Sequence, residues 1–295
     1  MTVRPLRPDE GPAAHALWAR SAGLDPLPPS VLAEKLWGAP AGPALAAEAA
    51  GRVVGLAAGA LWPTPGALRG SVRLLAVDPD HRRRAVGTAL LRAIEHALRR
   101  DGATTARLVE AAPNYLTPGV DVRNETALAF AAACGYRTLG EAVNLDVDLG
   151  QDWDTTGDEA RLSGLGVAVR RAASADRPGL GRLLDAEWPA WHAEADRAWA
   201  LDPPALHVAV RDGEVLGFAA HSANNAALGW FGPMGTAPAA RGLGVGAVLL
   251  RRCLADLRAA GHARATIAWA AALPFYARAC GATVGRRFQR FEKGL

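Results

Sequence analysis

The residues from Arg241 to Ala247 (Arg-Gly-Leu-Gly-Val-Gly-Ala) have the composition of an anion-binding turn. They follow an apolar run that ends at Thr236, and a periodic apolar segment begins at Val248. A strand, a glycine turn and a helix in this order place unpaired backbone N–H groups at the positive end of a helix. The three glycines let oxygens approach the backbone without a Cβ in the way. The pattern predicts a phosphate cradle.

Dinucleotide folds use such a turn with the spacing G-x-G-x-x-G/A, which Gly242, Gly244 and Ala247 satisfy. Those folds also need an acidic residue about 20 positions later, at the end of the next strand, to hold a ribose. The next predicted strand, residues 265–269, ends without Asp or Glu. The missing acidic residue therefore argues against a dinucleotide and favours a different cofactor.

A second spacing, Gln/Arg-x-x-Gly-x-Gly/Ala, is matched by Arg241, Gly244 and Gly246, with Pro238 three residues upstream. On these residues the chain resembles the GNAT superfamily of N-acetyltransferases, which bind the diphosphate of acetyl-CoA at this turn. The resemblance implies a mixed α/β (α+β) sheet, acetyl-CoA as cosubstrate and an amine as acceptor.

The motif occurs twice, which indicates a duplicated domain. Residues 79–91 align with residues 238–250, and the pairs Cys134-Gly135 and Val3-Arg4 align in the same order with Cys280-Gly281 and Val169-Arg170. Residues 151–166 are acidic and then glycine-rich, without clear periodicity. We expect a GNAT-like domain over residues 1–150, a linker over 151–166 and a second GNAT domain over 167–295.

Periodicity predicts the elements that must position each turn. In the first half a strand over residues 72–77 precedes the turn, and a helix over 88–100 follows it. In the second half residues 207–210 and 214–221 form a hairpin, and a helix over 249–259 continues the turn.

The two halves differ where the resemblance places functional groups. Ala85 stands at the position of Gly244, where a methyl group would press on a diphosphate. The first half has Ala131 where the family has a Tyr, whereas the second half has Tyr276. Trp269 stands about where the family commonly has an Asn, which the first half keeps as Asn124. We expect the second half to be catalytic.

The resemblance also implies roles for individual groups. Tyr276 would protonate the leaving thiolate as general acid, although it lies five residues before Gly281 and the family usually has four. His221 is a candidate general base acting through water, and Glu187, His192 and Glu194 occur in the segment that covers the acceptor site in this family. The expected cofactor residues are Met234, Gly235, Thr236, Arg241, Gly242, Leu243, Gly244, Val245, Gly246 and Ala247, and those of a candidate second site are Val77, Arg82, Arg83, Arg84, Ala85, Val86, Gly87, Thr88 and Asn124.

Composition bounds the remaining possibilities for this chain of 295 residues. The formal charge is only +4, and the short basic clusters at 82–84 and 286–287 lack interleaved aromatic residues, which argues against nucleic acid as a partner. The three cysteines have no metal-ligand spacing, so we expect no metal and a reduced, cytoplasmic protein. No apolar run is long enough for a membrane span, and a monomer or homodimer is expected.

Two hypotheses remain at this point. The first is an N-acetyltransferase that acts on a small-molecule amine by direct transfer in the second half. The alternative is a non-catalytic sensor that binds acyl-CoA through degenerate domains. Three tryptophans, Trp188, Trp191 and Trp199, either shape the acceptor pocket or pack the helices of the second half.

Overall fold

Apolar periodicities of two and 3.6 residues produce the same succession of strands and helices twice. The computed structural model describes residues 1–64 and 66–295. The described chain divides into two units: unit 1 comprises residues 1–142 and 287–295, and unit 2 comprises residues 143–286.

The elements of unit 1 begin with a strand, two helices and an antiparallel hairpin. They are β1 (Thr2–Pro5), α1 (Gly11–Ser21), α2 (Pro29–Trp37), β2 (Ala44–Ala49), β3 (Arg52–Thr64), β4 (Ala67–Val77), α3 (Val86–Arg100), β5 (Thr105–Leu108), β6 (Val120–Asp121), α4 (Glu125–Ala133) and the first half of β7 (Arg137–Asp148).

Unit 2 contains the second half of β7 and then repeats the succession after one additional helix. Its elements are α5 (Thr156–Ser163), β8 (Ala168–Arg171), α6 (Arg177–Glu187), α7 (His192–Trp199), β9 (Leu206–Arg211), β10 (Glu214–His221), β11 (Trp230–Thr236), α8 (Val245–Ala259), β12 (Arg264–Ile267), α9 (Leu273–Cys280) and the start of β13 (Thr283–Gly294).

Each unit contains a mixed sheet, as expected from the resemblance. In unit 1 the strand order is β1-β2-β3-β4-β5-β13, and only the β4–β5 pair is parallel. In unit 2 the order is β8-β9-β10-β11-β12-β7, and only the β11–β12 pair is parallel. The two sheets therefore have the same topology.

The last strand of each sheet comes from the other half of the sequence. Residues 287–294 of β13 pair with β5 and β6 in unit 1, and Phe288 and Phe291 are buried there. Residues 145–148 of β7 pair with β12 in unit 2. The division thus differs from the linear boundaries expected at residues 150 and 167, because strand pairing over long sequence separations leaves no local signal.

The segment expected to be a linker is ordered and helical within unit 2. The Leu162 side chain of α5 is fully buried in the core that α8 builds. Asp158 and Glu159 form ion pairs with Arg251 and Arg252 of α8. Helix formation was not expected here because the glycines and acidic residues obscure a helical period.

The helix that follows each turn supplies much of the core. In unit 1 Leu90, Leu91, Ile94 and Leu98 of α3 are buried, with the spacing of one helix face. In unit 2 Val248, Leu249 and Cys253 are among the fully buried residues of α8. Burying each of the large aliphatic side chains contributes about 1.5–3 kcal/mol, so the helix positions its turn firmly against the sheet.

Candidate functional site

Strand β11 separates from its parallel neighbour halfway along its length. It pairs with β12 only at Trp230 and Phe231, whereas Met234, Gly235 and Thr236 pair only with β10. The strand therefore has an open edge that faces away from β10 and spans about 13 Å between residues 232 and 236. This is the interrupted ladder expected from the glycines and proline of this strand.

The open edge leads into the glycine turn at the start of α8. Gly242 and Gly244 have φ values of 82° and 87°, which glycine adopts without steric cost. In the described residues the N–H groups of Gly242, Gly244, Val245 and Gly246 donate no hydrogen bond. Arg241, Gly242 and Gly244 are exposed. The turn therefore offers backbone donors to an anion, as the sequence predicts.

Gly246 has a packing role. A Cβ atom at this position would lie 3.3 Å from Thr236 Oγ1 and 3.5 Å from atoms of Met234 and Phe275. The missing side chain therefore lets α8 approach β11 and α9 closely, which holds the turn at the end of the open edge.

Tyr276 lies where β11 and β12 begin to separate. It belongs to α9, and its ring packs edge-on against Phe231, the last β11 residue paired with β12, at a centroid distance of 6.4 Å. In the described part of the chain no hydrogen bond to its hydroxyl is found. Burial raises the pKa of Tyr276 to about 12, so the phenol keeps its proton at neutral pH.

Asn144 is a site residue that the sequence did not reveal. It is buried in the part of β7 that belongs to unit 2, and its Oδ1 accepts a hydrogen bond of 2.9 Å from the Trp269 backbone N–H. Trp269 has a φ of 50°. An Asn from a strand distant in sequence thus holds the backbone at the position where the family's own Asn is missing.

Two of the three tryptophans form one cluster beside the open edge. The rings of Trp188 and Trp191 stack at 5.2 Å, and both contact Phe218 at 6.2 Å. A Cβ atom on Gly235 would lie only 2.4 Å from the Trp188 ring. Trp199 instead lies under the Arg177 guanidinium at 5.4 Å. Trp188 thus both packs the helices and borders the open edge.

His221 belongs to a polar network on the face of the sheet that α8 covers. Its Nε2 lies 3.2 Å from Asp256 Oδ2, and His207 Nε2 lies 2.7 Å from the same oxygen. Arg171 also binds this carboxylate. Burial opposes ionisation of Asp256, but hydrogen bonds from both histidines and the Arg171 charge outweigh it and hold its pKa well below the usual range.

The other candidate bases are placed differently. Glu187 is exposed, and His192 binds Asp185 at 2.8 Å. Glu194 is buried on α7, where desolvation raises its pKa to about 7 against the opposing charge of Arg197. The structure places no described hydrogen bond between any of these side chains and Tyr276.

Unit 1 keeps the backbone conformation of the turn with different residues. Arg83 and Ala85 both have a φ of 60°, in the left-handed region. The equivalent residues of unit 2, Gly242 and Gly244, lie in the same region with φ values of 82° and 87°. Arg82 donates to the carbonyls of Val77 and Ser21. Asp78 and Asp80 precede this turn where unit 2 has alanines, and Arg20 pairs with both carboxylates.

In unit 1 the β4 residue that follows the last pair with β5 is bound by the unit's own backbone. Arg73, on this strand and 1% exposed, donates to the carbonyls of Lys35, Gly38 and Pro40. Lys35 is fully buried and binds Asn114, in the loop between β5 and β6, at 2.6 Å. The loop therefore packs against α2 within its own unit.

The remaining candidates of unit 1 have structural positions. Asn124 is the N-cap of α4, and its Oδ1 accepts from the Ala127 N–H at 3.1 Å. Ala131, at the Tyr position, is fully buried. A Cβ atom at Gly87 would make ordinary contacts, with Phe130 at 3.5 Å and Val77 at 3.6 Å. Val86 and Thr88 belong to the first turn of α3.

Arg161 is a second residue of the site that the sequence did not reveal. It projects from α5 to the turn of unit 2, where its Nη2 donates to the Leu243 carbonyl at 2.9 Å. No residue pattern in the supposed linker indicated this contact.

Two further findings concern metal ions and membranes. Among residues 1–64 and 66–295 no group of three or more His, Cys, Asp or Glu side chains is arranged to hold a metal ion. None of the described helices is long and apolar enough to cross a membrane.

The chain belongs to the Acetyltransferase (GNAT) family, which it matches over residues 12–136 and 169–282. Both halves carry the match, so the fold and the family together define a tandem GNAT acetyltransferase. Comparison with curated protein sequences finds no match.

Solved structures share this fold at low sequence identity. A GCN5-related N-acetyltransferase from Sphaerobacter thermophilus has a TM-score of 0.71 at 19% identity, over 99% of this chain and 95% of that one. A tandem GNAT protein from the clavulanic acid biosynthesis pathway, without AcCoA, has the same TM-score and identity, over 99% and 98%.

A glucosamine N-acetyltransferase region of a fungal multi-domain GH3 beta-N-acetylglucosaminidase has a TM-score of 0.85 at 22% identity. The match covers 99% of this chain and 38% of the fungal protein, so the chain corresponds to one region of that protein. At these identities the three likenesses concern the fold.

Proposed function

We propose that unit 2 transfers the acetyl group of acetyl-CoA to the amine of a small molecule. The observation that supports this most is the open edge of β11, which runs from the donor-rich turn at Gly242–Gly246 to the ring of Tyr276. Diphosphate binding at one end and a proton donor at the other are what an extended thioester substrate requires.

The residues of unit 2 have separate tasks in this reaction. The turn binds the diphosphate, with Arg241 adding charge from the exposed side. Backbone N–H groups along Met234 to Thr236 hold the pantetheine arm and polarise the thioester carbonyl. The amine nitrogen attacks the carbonyl carbon, the C–N bond forms, and the C–S bond breaks with its electron pair on sulfur. Tyr276 gives its proton to that sulfur.

The state of Tyr276 suits this task. A phenol with a pKa of about 12 is protonated throughout the physiological range, and a leaving thiolate has a pKa of about 8.5. The transfer from phenol to thiolate is therefore uphill, so the hydroxyl must touch the sulfur while the C–S bond breaks. The amine releases one proton to water, and a proton from water then returns to Tyr276 and restores the phenol. Packing against Phe231 and Phe275 fixes the ring for such a contact.

His221 is better suited to a structural task than to that of general base. Its ring is bound to Asp256 beneath α8, whereas its neighbour Ala220 packs in the cluster under α6 and α7. The proton released by the amine is proposed to leave through water, and the structure assigns it to no particular side chain.

Unit 1 is proposed to be the structural half. Its Tyr position is a buried Ala131, Arg73 of its β4 is buried and bound to the carbonyls of Lys35 and Pro40, and Ala85 stands where unit 2 has Gly244. Calorimetry with acetyl-CoA tests this directly, because one bound molecule per chain is expected. Two bound molecules per chain would contradict the proposal and indicate a second site at residues 82–88.

Substitution of Tyr276 by Phe tests the proposed chemistry. Turnover should fall by about two orders of magnitude, the typical contribution of one general acid, while acetyl-CoA affinity stays within about twofold of the original. Tyr136→Phe in unit 1 is the matched control. Unchanged turnover in Tyr276→Phe would remove this residue from the mechanism.

The acceptor is to be found by measuring thiol release with amines, amino acids and amino sugars. Glucosamine is included because the fungal region with the same fold is named for it. Tight binding of acetyl-CoA without thiol release from any acceptor class would favour the sensor hypothesis instead.

A further inference from the structure

The guanidinium of Arg161 lies directly over the glycine turn of unit 2. Besides its bond to the Leu243 carbonyl, its Nη2 would lie 2.6 Å from a Cβ atom on Gly244. The successive N–H groups of Gly244, Val245 and Gly246 donate no hydrogen bond in the described chain, and the Arg161 guanidinium lies beside the first of these residues. The side chain is about half exposed and so faces solvent at the mouth of the turn.

Helix α5 holds this side chain in place. The neighbouring Leu162 is fully buried, and Asp158 and Glu159 on the preceding turn of α5 pair with Arg251 and Arg252. Asp158, Glu159 and Leu162, which lie within about one helical turn of each other, thus anchor the helix on α8. Arg161 points from an anchored backbone towards the turn, so little conformational entropy is lost when it binds a ligand there.

The charge arrangement around the turn is unfavourable for a cation alone. The N-terminus of α8 carries a partial positive charge, and a guanidinium beside it is repelled. Its described partners are one neutral carbonyl and Asp158 at 3.5 Å. A guanidinium has five donors in a fork that matches phosphate oxygens. An anion between the N–H groups and the guanidinium would turn repulsion into attraction.

We propose that Arg161 is a diphosphate ligand of unit 2, which makes α5 part of the coenzyme site. Phosphate oxygens bind the N–H groups of the turn on one side and the Arg161 guanidinium on the other. This inference rests on the proposed function, because it assigns a further binding residue to the same site.

Calorimetry on the full-length protein tests the assignment with three probes: coenzyme A, dephospho-coenzyme A and pantetheine. Arg161→Ala should weaken both nucleotide-bearing probes by about tenfold or more, the effect of one charge-assisted hydrogen bond. Pantetheine lacks the diphosphate, so its affinity should not change. Arg161→Lys should recover part of the loss. Arg182→Ala, on the exposed face of α6, is the control.

Each other outcome overturns the assignment. Equal affinity of wild type and Arg161→Ala for coenzyme A, or an equal loss for pantetheine, would show that Arg161 does not bind the diphosphate while leaving the proposed function intact. A loss for coenzyme A but not for dephospho-coenzyme A would place the guanidinium on the 3′-phosphate. Absence of coenzyme A binding by the wild type would overturn the proposed function as well.

Discussion

The ring of Trp188 lies against the backbone of Gly235, so close that a Cβ atom on residue 235 would fall 2.4 Å from it. Trp191 stacks on this ring, and Phe218, the cross-strand partner of Gly235, also contacts it. Trp188, which follows α6, and Gly235 of the open edge of β11 therefore have complementary shapes.

Gly235→Ala should destabilise unit 2 by about 1–3 kcal/mol, because the rigid ring must move out of a packed cluster. Trp188→Ala should also be destabilising. The double variant should lose less unfolding free energy than the sum of the two single losses, because the cavity left by the missing Trp188 ring accepts the new methyl group at position 235. Urea unfolding of all four proteins gives this coupling energy, and strict additivity would contradict the contact.

The turns of the two units should respond in opposite directions to exchange of Gly and Ala. Ala85 and Gly244 occupy the same left-handed position, with φ values of 60° and 87°. Ala85→Gly should stabilise the protein by about 1 kcal/mol and Gly244→Ala should destabilise it by about as much, because a Cβ is strained there. Denaturant unfolding measures both. The same sign for both changes would show that the turns differ in conformation.

Glu194 should make the stability of unit 2 depend on pH. Its pKa is about 7 when folded and near 4.5 when unfolded, so the folded state keeps a proton that the unfolded state loses between these values. Stability should therefore fall as pH rises from about 4.5 to 7, by about 3 kcal/mol in total.

Glu194→Gln removes this titration. The stability of the variant relative to the wild type should therefore increase as pH rises from about 4.5 to 7 and stay constant above that. Thermal unfolding at a series of pH values measures the difference. Glu214→Gln, at an exposed glutamate of the same unit, is the control. A difference between wild type and Glu194→Gln that is constant with pH would refute the assignment.

Unit 1 should depend on residues 287–295 for its stability. Phe288 and Phe291 are buried there, and Lys293 and Arg290 neutralise Glu95 and Glu110. Phe291→Ala should cost about 3–5 kcal/mol, whereas Arg287→Ala, at an exposed position of the same strand, should cost little.

Fragments provide a second measurement of the same dependence. Residues 1–142 joined by a flexible linker to 287–295 should resist limited proteolysis better than residues 1–150, which follow the linear boundary. Equal protection of the two fragments would show that unit 1 completes its sheet without β13.

Local patterns made the central elements predictable. The helix predicted over 88–100 is observed as α3 (Val86–Arg100), and the strand predicted over 72–77 is the end of β4 (Ala67–Val77). The turn between Arg241 and Ala247 and its copy in the first half could be found because glycine spacing and helix periodicity are encoded by adjacent residues.

The sequence by itself determined the duplicated mixed α/β fold, the glycine turn and the candidate Tyr276. Tertiary structure alone decided that Asn144 holds the Trp269 backbone, that Arg161 reaches the turn, that Arg73 binds the Pro40 carbonyl and that β13 completes unit 1. These contacts join residues far apart in the chain, and a side chain's partner across such a distance is selected by packing and charge in the folded sheet, which no spacing in the sequence records.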